Sequence, residues 1–269
     1  MARWAALLEK RRDERPVMLV DAGDFCAVGK MRDQETKDRY FFEAVEKLDY
    51  DALAVAENEI LFGRQKLLER AGENHLPLLS SNILDRESGK HIFDRTLVSS
   101  VGGSGFLFFR RGGVKVGLFS VADPRIIYGA DRLVEKYYEV VDPRIAALDA
   151  VTDLRKRGCE IIIALSHQEW DLSADFAREV GGIDIVVVSH SSMAQAKSEL
   201  IGDVLLVAPG SSRTSFTEIE VSWGEEGVRT GMIDHGKELL GMKGHPEFAE
   251  IERRYVEETG DTGEIREIK

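Results

Sequence analysis

Two histidines, each placed directly after an aliphatic run, are the strongest chemical signal in this sequence. His167 follows Glu160-Ile-Ile-Ile-Ala-Leu165 and one serine, and His190 follows Ile183-Asp-Ile-Val-Val-Val188 and one serine. A continuous β-branched run that ends in polar residues is typical of a buried parallel strand. Ligands bind at the carboxyl ends of such strands in open α/β sheets, so both imidazoles are expected at one rim. Because imidazole commonly binds divalent metals, the first hypothesis is a metal site.

Two carboxylates extend this set of possible ligands. Asp24 comes shortly after the apolar run 16–21, and Glu57 comes directly after the run 51–56. One or two carboxylates with two imidazoles suit Zn, Mn, Fe or Ni, whereas calcium prefers an all-oxygen shell. Each acidic residue could equally be a turn or helix-cap residue, so the signal lies in the repeated placement.

The elements that must position these residues alternate between helical and extended patterns. Helices are predicted near residues 1–15, 33–48, 65–72 and 143–157 and from Pro246; strands are predicted at 16–21, 51–56, 76–82, 204–210 and 216–222; and a hairpin is predicted within 93–121 around Arg111-Gly-Gly113. This order mixes parallel and antiparallel strands, and it favours two packed sheets with helices outside them. We expect a single domain.

Composition narrows the function. The 269 residues include 36 basic and 48 acidic side chains, which give a formal net charge of −12. A chain this acidic is a poor candidate for binding nucleic acid or an anionic membrane. A small phosphorylated molecule remains compatible, because a metal can supply local positive charge. No apolar run is long enough for a membrane span, and the two cysteines are far apart, which favours two buried thiols.

Several stretches, in order, make the chain resemble the calcineurin-like metallophosphoesterases, and in particular their bacterial 5′-nucleotidase branch. The stretches are Leu19-Val-Asp-Ala-Gly-Asp-Phe25, Tyr50-Asp-Ala-Leu-Ala-Val-Ala-Glu-Asn-Glu-Ile-Leu-Phe-Gly63, Pro77-Leu-Leu-Ser-Ser-Asn82, Ala164-Leu-Ser-His167 and Gly182-Ile-Asp-Ile-Val-Val-Val-Ser-His-Ser191. The resemblance implies the metallo-dependent phosphatase fold, a four-layer αββα sandwich of two mixed β-sheets flanked by helices. It also implies hydrolysis of a phosphate ester by two metals that activate a water molecule.

Carried over residue by residue, the resemblance completes one metal site. It places the bridging aspartate at Asp24, the asparagine ligand at Glu57, and the two histidine ligands at His167 and His190. A carboxylate oxygen binds a divalent cation at least as well as an amide oxygen, so the substitution at Glu57 is usable. These four residues are expected to hold at most one divalent transition metal (Mn, Zn or Fe). Asn82 is a candidate substrate-binding residue.

The other half of the family's site is substituted. Asn58 stands where the family has its catalytic histidine, Leu61 where it has the partner aspartate, and Ser192 where it has a ligand of the first metal. The Asp-x-His-Gly motif that opens the family's domain is absent. We therefore expect weak activity, or none, as a 5′-nucleotidase-related phosphoesterase acting on a nucleotide or small phosphomonoester. One alternative is a non-catalytic metallophosphatase-fold binding domain with one metal or none. Another is remodelled chemistry in which Glu57 or Glu59 acts as the base.

The resemblance also bears on the extent of the chain. Residues 1–269 are expected to form one metallophosphatase-like domain without the family's C-terminal substrate domain, for which the chain is too short. Either the first strand is missing or the chain is truncated, and truncation is favoured because a missing central strand would leave a gap in the sheet. As written, the chain has no signal peptide and is expected in the cytoplasm. An upstream signal peptide and opening motif would place it in the periplasm.

Overall fold

The computed structural model describes residues 1–26, 34–102, 113–190, 195–209, 217–224, 227–234 and 236–261. Its helices are α1 (Ala2–Glu14), α2 (Gln34–Leu48), α3 (Glu57–Phe62), α4 (Arg64–Glu73), α5 (Pro124–Ala130), α6 (Val134–Tyr137), α7 (Pro143–Lys156), α8 (Trp170–Glu179), α9 (Gly236–Gly241) and α10 (Pro246–Thr259). Its strands are β1 (Val20–Asp21), β2 (Ala52–Ala54), β3 (Leu78–Leu79), β4 (Ile83–Asp85), β5 (Leu97–Val101), β6 (Val114–Ala122), β7 (Tyr138–Val140), β8 (Ile161–His167), β9 (Ile185–Ser189), β10 (Lys197–Ile201), β11 (Val204–Ala208), β12 (Thr217–Gly224) and β13 (Gly227–Asp234).

The larger sheet has six strands in the order β10-β11-β9-β8-β6-β5. Its four central strands are parallel, and the strands at the two edges, β5 and β10, run antiparallel to their neighbours. Both faces of the central strands are covered: Ile162 and Ala164 pack against the layer of α7 and α8, while Ile163 and Leu165 face the second sheet. This two-sided burial explains why β8 is apolar at each position from 161 to 165 rather than at alternate positions.

The smaller sheet consists of β1, β2 and β3, all parallel. Its outer face packs against α2, α3 and α4 through residues such as Leu53 and Phe42. Its inner face meets the larger sheet through Ala52, Ala54 and Leu79, which pack against Leu118 and Leu165. The layers therefore run helix, sheet, sheet, helix, and the mixed strand directions lie in the larger sheet.

Two antiparallel pairs lie outside these sheets, β4 with β7 and β12 with β13. Helices α1 and α10 pack on α2 through a separate apolar cluster that includes Leu8, Tyr40 and Phe248. No helix in the described ranges is both long and apolar enough to cross a bilayer.

The helices with predicted positions (α1, α2, α4, α7 and the start of α10) lie within about two residues of them, but the strands of the smaller sheet are shorter than predicted. β1 covers only the end of the predicted strand 16–21, and β3 only two residues of 76–82. Among the described residues β1 pairs with β2 alone, through a parallel ladder of two residue pairs. The hairpin predicted between 105–110 and 114–119 is not tested as such, because its first strand and most of its turn lie in residues 103–112, outside the described ranges. Its second strand is part of β6, which pairs antiparallel with β5.

Candidate functional site

Four side chains converge at the carboxyl rim of the two sheets. The smaller sheet supplies Asp24, from the loop after β1, and Glu57, at the start of α3 after β2. The larger sheet supplies His167, the last residue of β8, and His190, directly after β9. One ligand atom from each of the four lies within 4.8 Å of the others. The structure thus brings together all four residues predicted from strand-end placement.

Glu57 lies at the centre of this group. Its Oε2 is 2.7 Å from His167 Nε2, and its Oε1 is 3.0 Å from His190 Nδ1. Asp24 Oδ2 lies 3.7 Å from the same nitrogen of His167. This spread is close to that of ligands around one ion with bonds of about 2.0–2.2 Å.

The imidazole of His167 is held in one orientation and one tautomer. The residue is only 1% exposed, and its Nδ1 lies 3.0 Å from the carbonyl oxygen of Ala22. A carbonyl oxygen can only accept, so Nδ1 carries the proton and donates. Nε2 is then the nitrogen that faces the carboxylates, which is the arrangement that metal-binding histidines use.

The backbone at the site adopts conformations that most residues avoid. Asp24 and His190 have φ angles of 66° and 55°, in the left-handed region, and Gly23 has φ of 107°. A Cβ on Gly23 would lie 2.7 Å from Ala56 Cβ and 2.7 Å from His167 Nδ1. Only glycine fits there, and left-handed non-glycine residues of this kind cluster at functional sites.

Glu59 connects the loop of Asp24 to the start of α3. Its Oε2 accepts hydrogen bonds from the backbone N–H of Asp24 (2.9 Å) and of Ala56 (3.0 Å), and its Oε1 accepts one from Cys26 N–H (2.8 Å). Asn58 N–H donates to Asp24 Oδ1 at 3.0 Å. Sequence reasoning gave Glu59 only the role of a helix-start residue or a base. The available signal was a glutamate three residues after the helix cap, which often reaches back to the cap's N–H.

The contact between Glu57 and His167 favours the charged form of both side chains. Burial opposes ionisation of Glu57, but the hydrogen bond and charge of His167 outweigh it and lower the pKa of Glu57 to about 2. Burial likewise opposes charging of His167, yet the carboxylates of Glu57 and Asp24 raise its pKa. A positive charge at this point is therefore stabilised by the carboxylates around it.

Other acids near the site are harder to ionise than usual. Burial raises the pKa of Asp24, and it raises the pKa of Asp21 to about 6 against the opposing hydrogen bond from Gly23 N–H. Burial also raises the pKa of Glu59 to about 7, although three backbone N–H groups favour its charged form. So many carboxyl groups in one buried region call for a compensating cation.

The donor set fits a divalent transition metal. His167 Nε2 and Glu57 Oε2 are both buried, and no described residue outside the cluster hydrogen bonds to either atom. Two imidazole nitrogens and two carboxylates match the mixed ligand preference of Zn, Mn or Fe. Within the described ranges this is the one group of three or more histidine, cysteine, aspartate or glutamate residues placed to hold an ion.

The remaining predicted residues occupy different surroundings. Asn58 lies in α3 beside Glu57, and Leu61, one turn further on, is 38% exposed. Asn82 is buried, and its amide donates to the carbonyls of Ala122 and Val141 and accepts from Ala122 N–H. That amide ties strands together with no donor left over, and its role in substrate binding stays a prediction. Ser192 lies outside the described residues.

Known proteins of similar sequence match part of this chain. The trifunctional nucleotide phosphoesterase protein YfkN of Bacillus subtilis is 25% identical over 230 residues, which span 75% of this chain and 15% of that protein. The 5′-nucleotidase of Mus musculus is 30% identical over 188 residues, 68% of this chain and 30% of that protein. The chain thus spans less than a third of the length of either relative. No family model matches it.

A solved structure agrees in fold. The crystal structure of calcineurin-like phosphoesterase YfkN from Bacillus subtilis superposes with a TM-score of 0.75 at 17% identity, covering 97% of this chain and 90% of that one. At this identity the likeness establishes the mixed α/β fold of metallophosphoesterase structures, which confirms the predicted fold class.

Proposed function

We propose that this chain is a metal-dependent phosphoesterase of low turnover. The proposal is supported by its relation, through distant homologues and through its fold, to the calcineurin-like phosphoesterase and 5′-nucleotidase N-terminal domain family. Its site would hold one divalent transition metal, Mn, Zn or Fe, and its substrate would be a nucleotide or another small phosphomonoester. The observation that carries the proposal is the convergence of Asp24, Glu57, His167 and His190 on one point.

The roles of the side chains follow from their contacts. A bound metal would polarise the phosphoryl oxygen and lower the pKa of a coordinated water molecule. His167, fixed through its Nδ1–H to Ala22, presents Nε2 to the ion without having to change tautomer. Glu57 contacts both imidazoles and would hold the two sheets' ligands around the same centre. The side chain of His190 is 37% exposed and that of His167 is 1% exposed, so His190 would be the imidazole nearer to solvent and to an incoming substrate.

Low turnover is expected because of what stands beside the metal site. Asn58 has no imidazole to stabilise charge on the transferring phosphoryl group, and Leu61 has no carboxylate to orient one. Loss of a single group that stabilises transition-state charge typically slows a reaction by about 10²–10³-fold. A single ion also lacks the second half of a two-metal clamp on the attacking and leaving oxygens.

A non-catalytic role is the second candidate, and one specific observation favours it. Asn58 donates its backbone N–H to Asp24 Oδ1 and so supports a ligand, while its side chain is an amide with no imidazole to offer a substrate. A domain that binds metal, and through it a phosphorylated ligand, would keep the four ligands without needing the substituted pair.

The first experiment measures metal content and turnover on the full chain. Protein purified without chelator and dialysed against Mn²⁺ or Zn²⁺ is expected to retain one equivalent by elemental analysis. Its hydrolysis of 5′-AMP and p-nitrophenyl phosphate is expected to fall far below the roughly 10 s⁻¹ typical of enzymes. His190→Ala is the control and should lose both metal and activity. Two retained equivalents, or metal binding unchanged in the control, would contradict the proposed site.

A second experiment separates slow catalysis from binding alone. The double substitution Asn58→His with Leu61→Asp supplies the imidazole and the carboxylate that the family places at these positions. If the chain is a phosphoesterase limited by these two residues, turnover rises by at least about tenfold while metal content stays constant. An unchanged, undetectable turnover in the metal-loaded variant would favour the binding role.

A further inference from the structure

We propose that Glu59 is a positioning residue of the metal centre. Its side chain holds the loop after β1 against the start of α3, so that Asp24 and Glu57 can bind the same ion. This inference rests on the proposed function, since it concerns the geometry of that metal site. The hydrogen bonds of Glu59 go to the backbone of the segments that carry two of the ligands, so it acts through the main chain.

The contacts of Glu59 are unusual in number and placement. The residue is fully buried, and three backbone N–H groups donate to its two carboxylate oxygens at 2.8–3.0 Å. Two of these donors, Asp24 and Cys26, belong to the loop after β1, and the third, Ala56, belongs to the cap of α3. One side chain therefore joins the segment of the aspartate ligand to the segment of the glutamate ligand.

The loop of Asp24 is held at several points, and Glu59 is the side chain that links it to the cap of α3. His167 Nδ1–H donates to the carbonyl of Ala22, and Gly23 N–H donates to Asp21 Oδ1. β1 itself is two residues long and, among the described residues, pairs with β2 alone. Gly23 and Asp24 both have positive φ angles, a conformation that persists only when the surroundings impose it. Because Asp24 also accepts a hydrogen bond from Asn58 N–H, its carboxylate is aimed relative to α3, and Glu59 sets the distance between loop and helix.

Only a carboxylate can serve all three donors. Both oxygens of Glu59 accept hydrogen bonds, one from two N–H groups and the other from one. In Glu59→Gln one oxygen becomes an NH₂ group, which cannot accept, so at least one buried N–H would face another donor. The loop and the cap can then no longer be held together by this side chain, and the spacing of the two ligands would be lost.

The same small sheet supplies a matched control. Asp51 lies at the opposite end of β1 and β2, where its Oδ2 accepts from Leu19 N–H at 2.9 Å and its Oδ1 accepts from the hydroxyl of Ser99 at 3.3 Å. Asp51→Asn likewise replaces a carboxylate that accepts a backbone hydrogen bond with an amide, at the residue that precedes β2. It does so far from the carboxyl rim, so it reports the cost of general destabilisation.

The test uses Co²⁺ as a probe, because its visible absorption reports both affinity and ligand geometry. We expect Glu59→Gln to weaken Co²⁺ binding about 10–100-fold, as loss of a supporting residue around metal ligands typically does, and to change the absorption spectrum. Asp51→Asn should lower the unfolding temperature in EDTA but leave Co²⁺ affinity within about twofold. Equal affinity in Glu59→Gln and wild type overturns the proposal, and so does an equal loss of affinity in both variants.

A metal-free measurement keeps the proposal separate from the proposed function. In EDTA-treated wild-type protein, the amides of Asp24 and Cys26 should exchange with solvent as slowly as amides of the core strands, because Glu59 binds them in the absence of any ion. If these two amides exchange at the rate of an open loop, the proposed positioning role of Glu59 is overturned, whether or not Glu59→Gln folds. Failure of the wild type to bind Co²⁺ with slow exchange intact would instead overturn the proposed function.

Discussion

Substitution of Gly23 by alanine tests whether the crowded loop beneath the candidate ligands is as tightly constrained as its geometry indicates. Two separate costs are expected. The φ angle of 107° suits glycine alone, and an added Cβ would lie 2.7 Å from both Ala56 Cβ and His167 Nδ1. The second contact would push His167 off its hydrogen bond with Ala22.

The magnitude can be assembled from these parts. A non-glycine residue held in a disfavoured backbone region costs about 1–3 kcal/mol. Overpacking against neighbouring atoms adds about 1–3 kcal/mol, and the lost hydrogen bond adds about 1 kcal/mol. The free energy of unfolding of Gly23→Ala should therefore fall by about 3–7 kcal/mol, a large share of the 5–15 kcal/mol typical of a folded protein.

Gly63→Ala isolates the backbone component. Gly63 has a φ angle of 101°, close to that of Gly23, but a Cβ there would meet nothing within 4 Å. We expect it to lose only about 1–3 kcal/mol. Urea unfolding in EDTA, followed by Co²⁺ titration of the folded variants, measures both effects. If Gly23→Ala is no less stable than Gly63→Ala and binds Co²⁺ as well as the wild type, the steric account of this loop is wrong.

Two further predictions concern the ligands and the buried acid next to them. His190→Ala removes a side chain that is 37% exposed, so it should lower metal affinity but leave the stability in EDTA nearly unchanged. His167→Ala removes a buried side chain, so it should lower metal affinity and also lower the free energy of unfolding by about 1–3 kcal/mol. Equal stability losses in thermal unfolding would contradict this contrast. Asp21, which faces His167 and Asp24, has its pKa raised by burial to about 6, above the roughly 3.9 of an unfolded chain, so its contribution to stability is present below pH 4 and declines as the pH rises to 6. Asp21→Asn should flatten this decline by up to about 3 kcal/mol, since each pKa unit corresponds to roughly 1.4 kcal/mol, and identical pH profiles of the unfolding temperature in EDTA would refute the assignment.

The sequence predicted the parts of the fold that are set by local pattern. β8 was evident because burial on both faces requires an apolar residue at every position. The lengths of β1 and β3 were overestimated, because the length of a parallel strand depends on partners that are distant in the chain. A two-residue strand carries almost no periodic signal.

The candidate ligands were predictable for a related reason. Strand ends gather at one rim whatever the details of packing, so strand-end placement alone brought His167 and His190 together. The role of Glu59 and the crowding at Gly23 could not be predicted in this way. Both depend on distances between separate loops, which only the folded chain defines.

The division of the four ligands between the two sheets has a consequence for the whole molecule. An ion held by Asp24 and Glu57 on one side and His167 and His190 on the other would act as a cross-link between layers that otherwise meet through apolar side chains. Occupancy at a metal concentration 100 times the Kd would add about 2.7 kcal/mol to the stability of the folded state. A cell short of this metal would then hold more of the protein unfolded and exposed to proteases, so metal supply would govern how much of the protein persists.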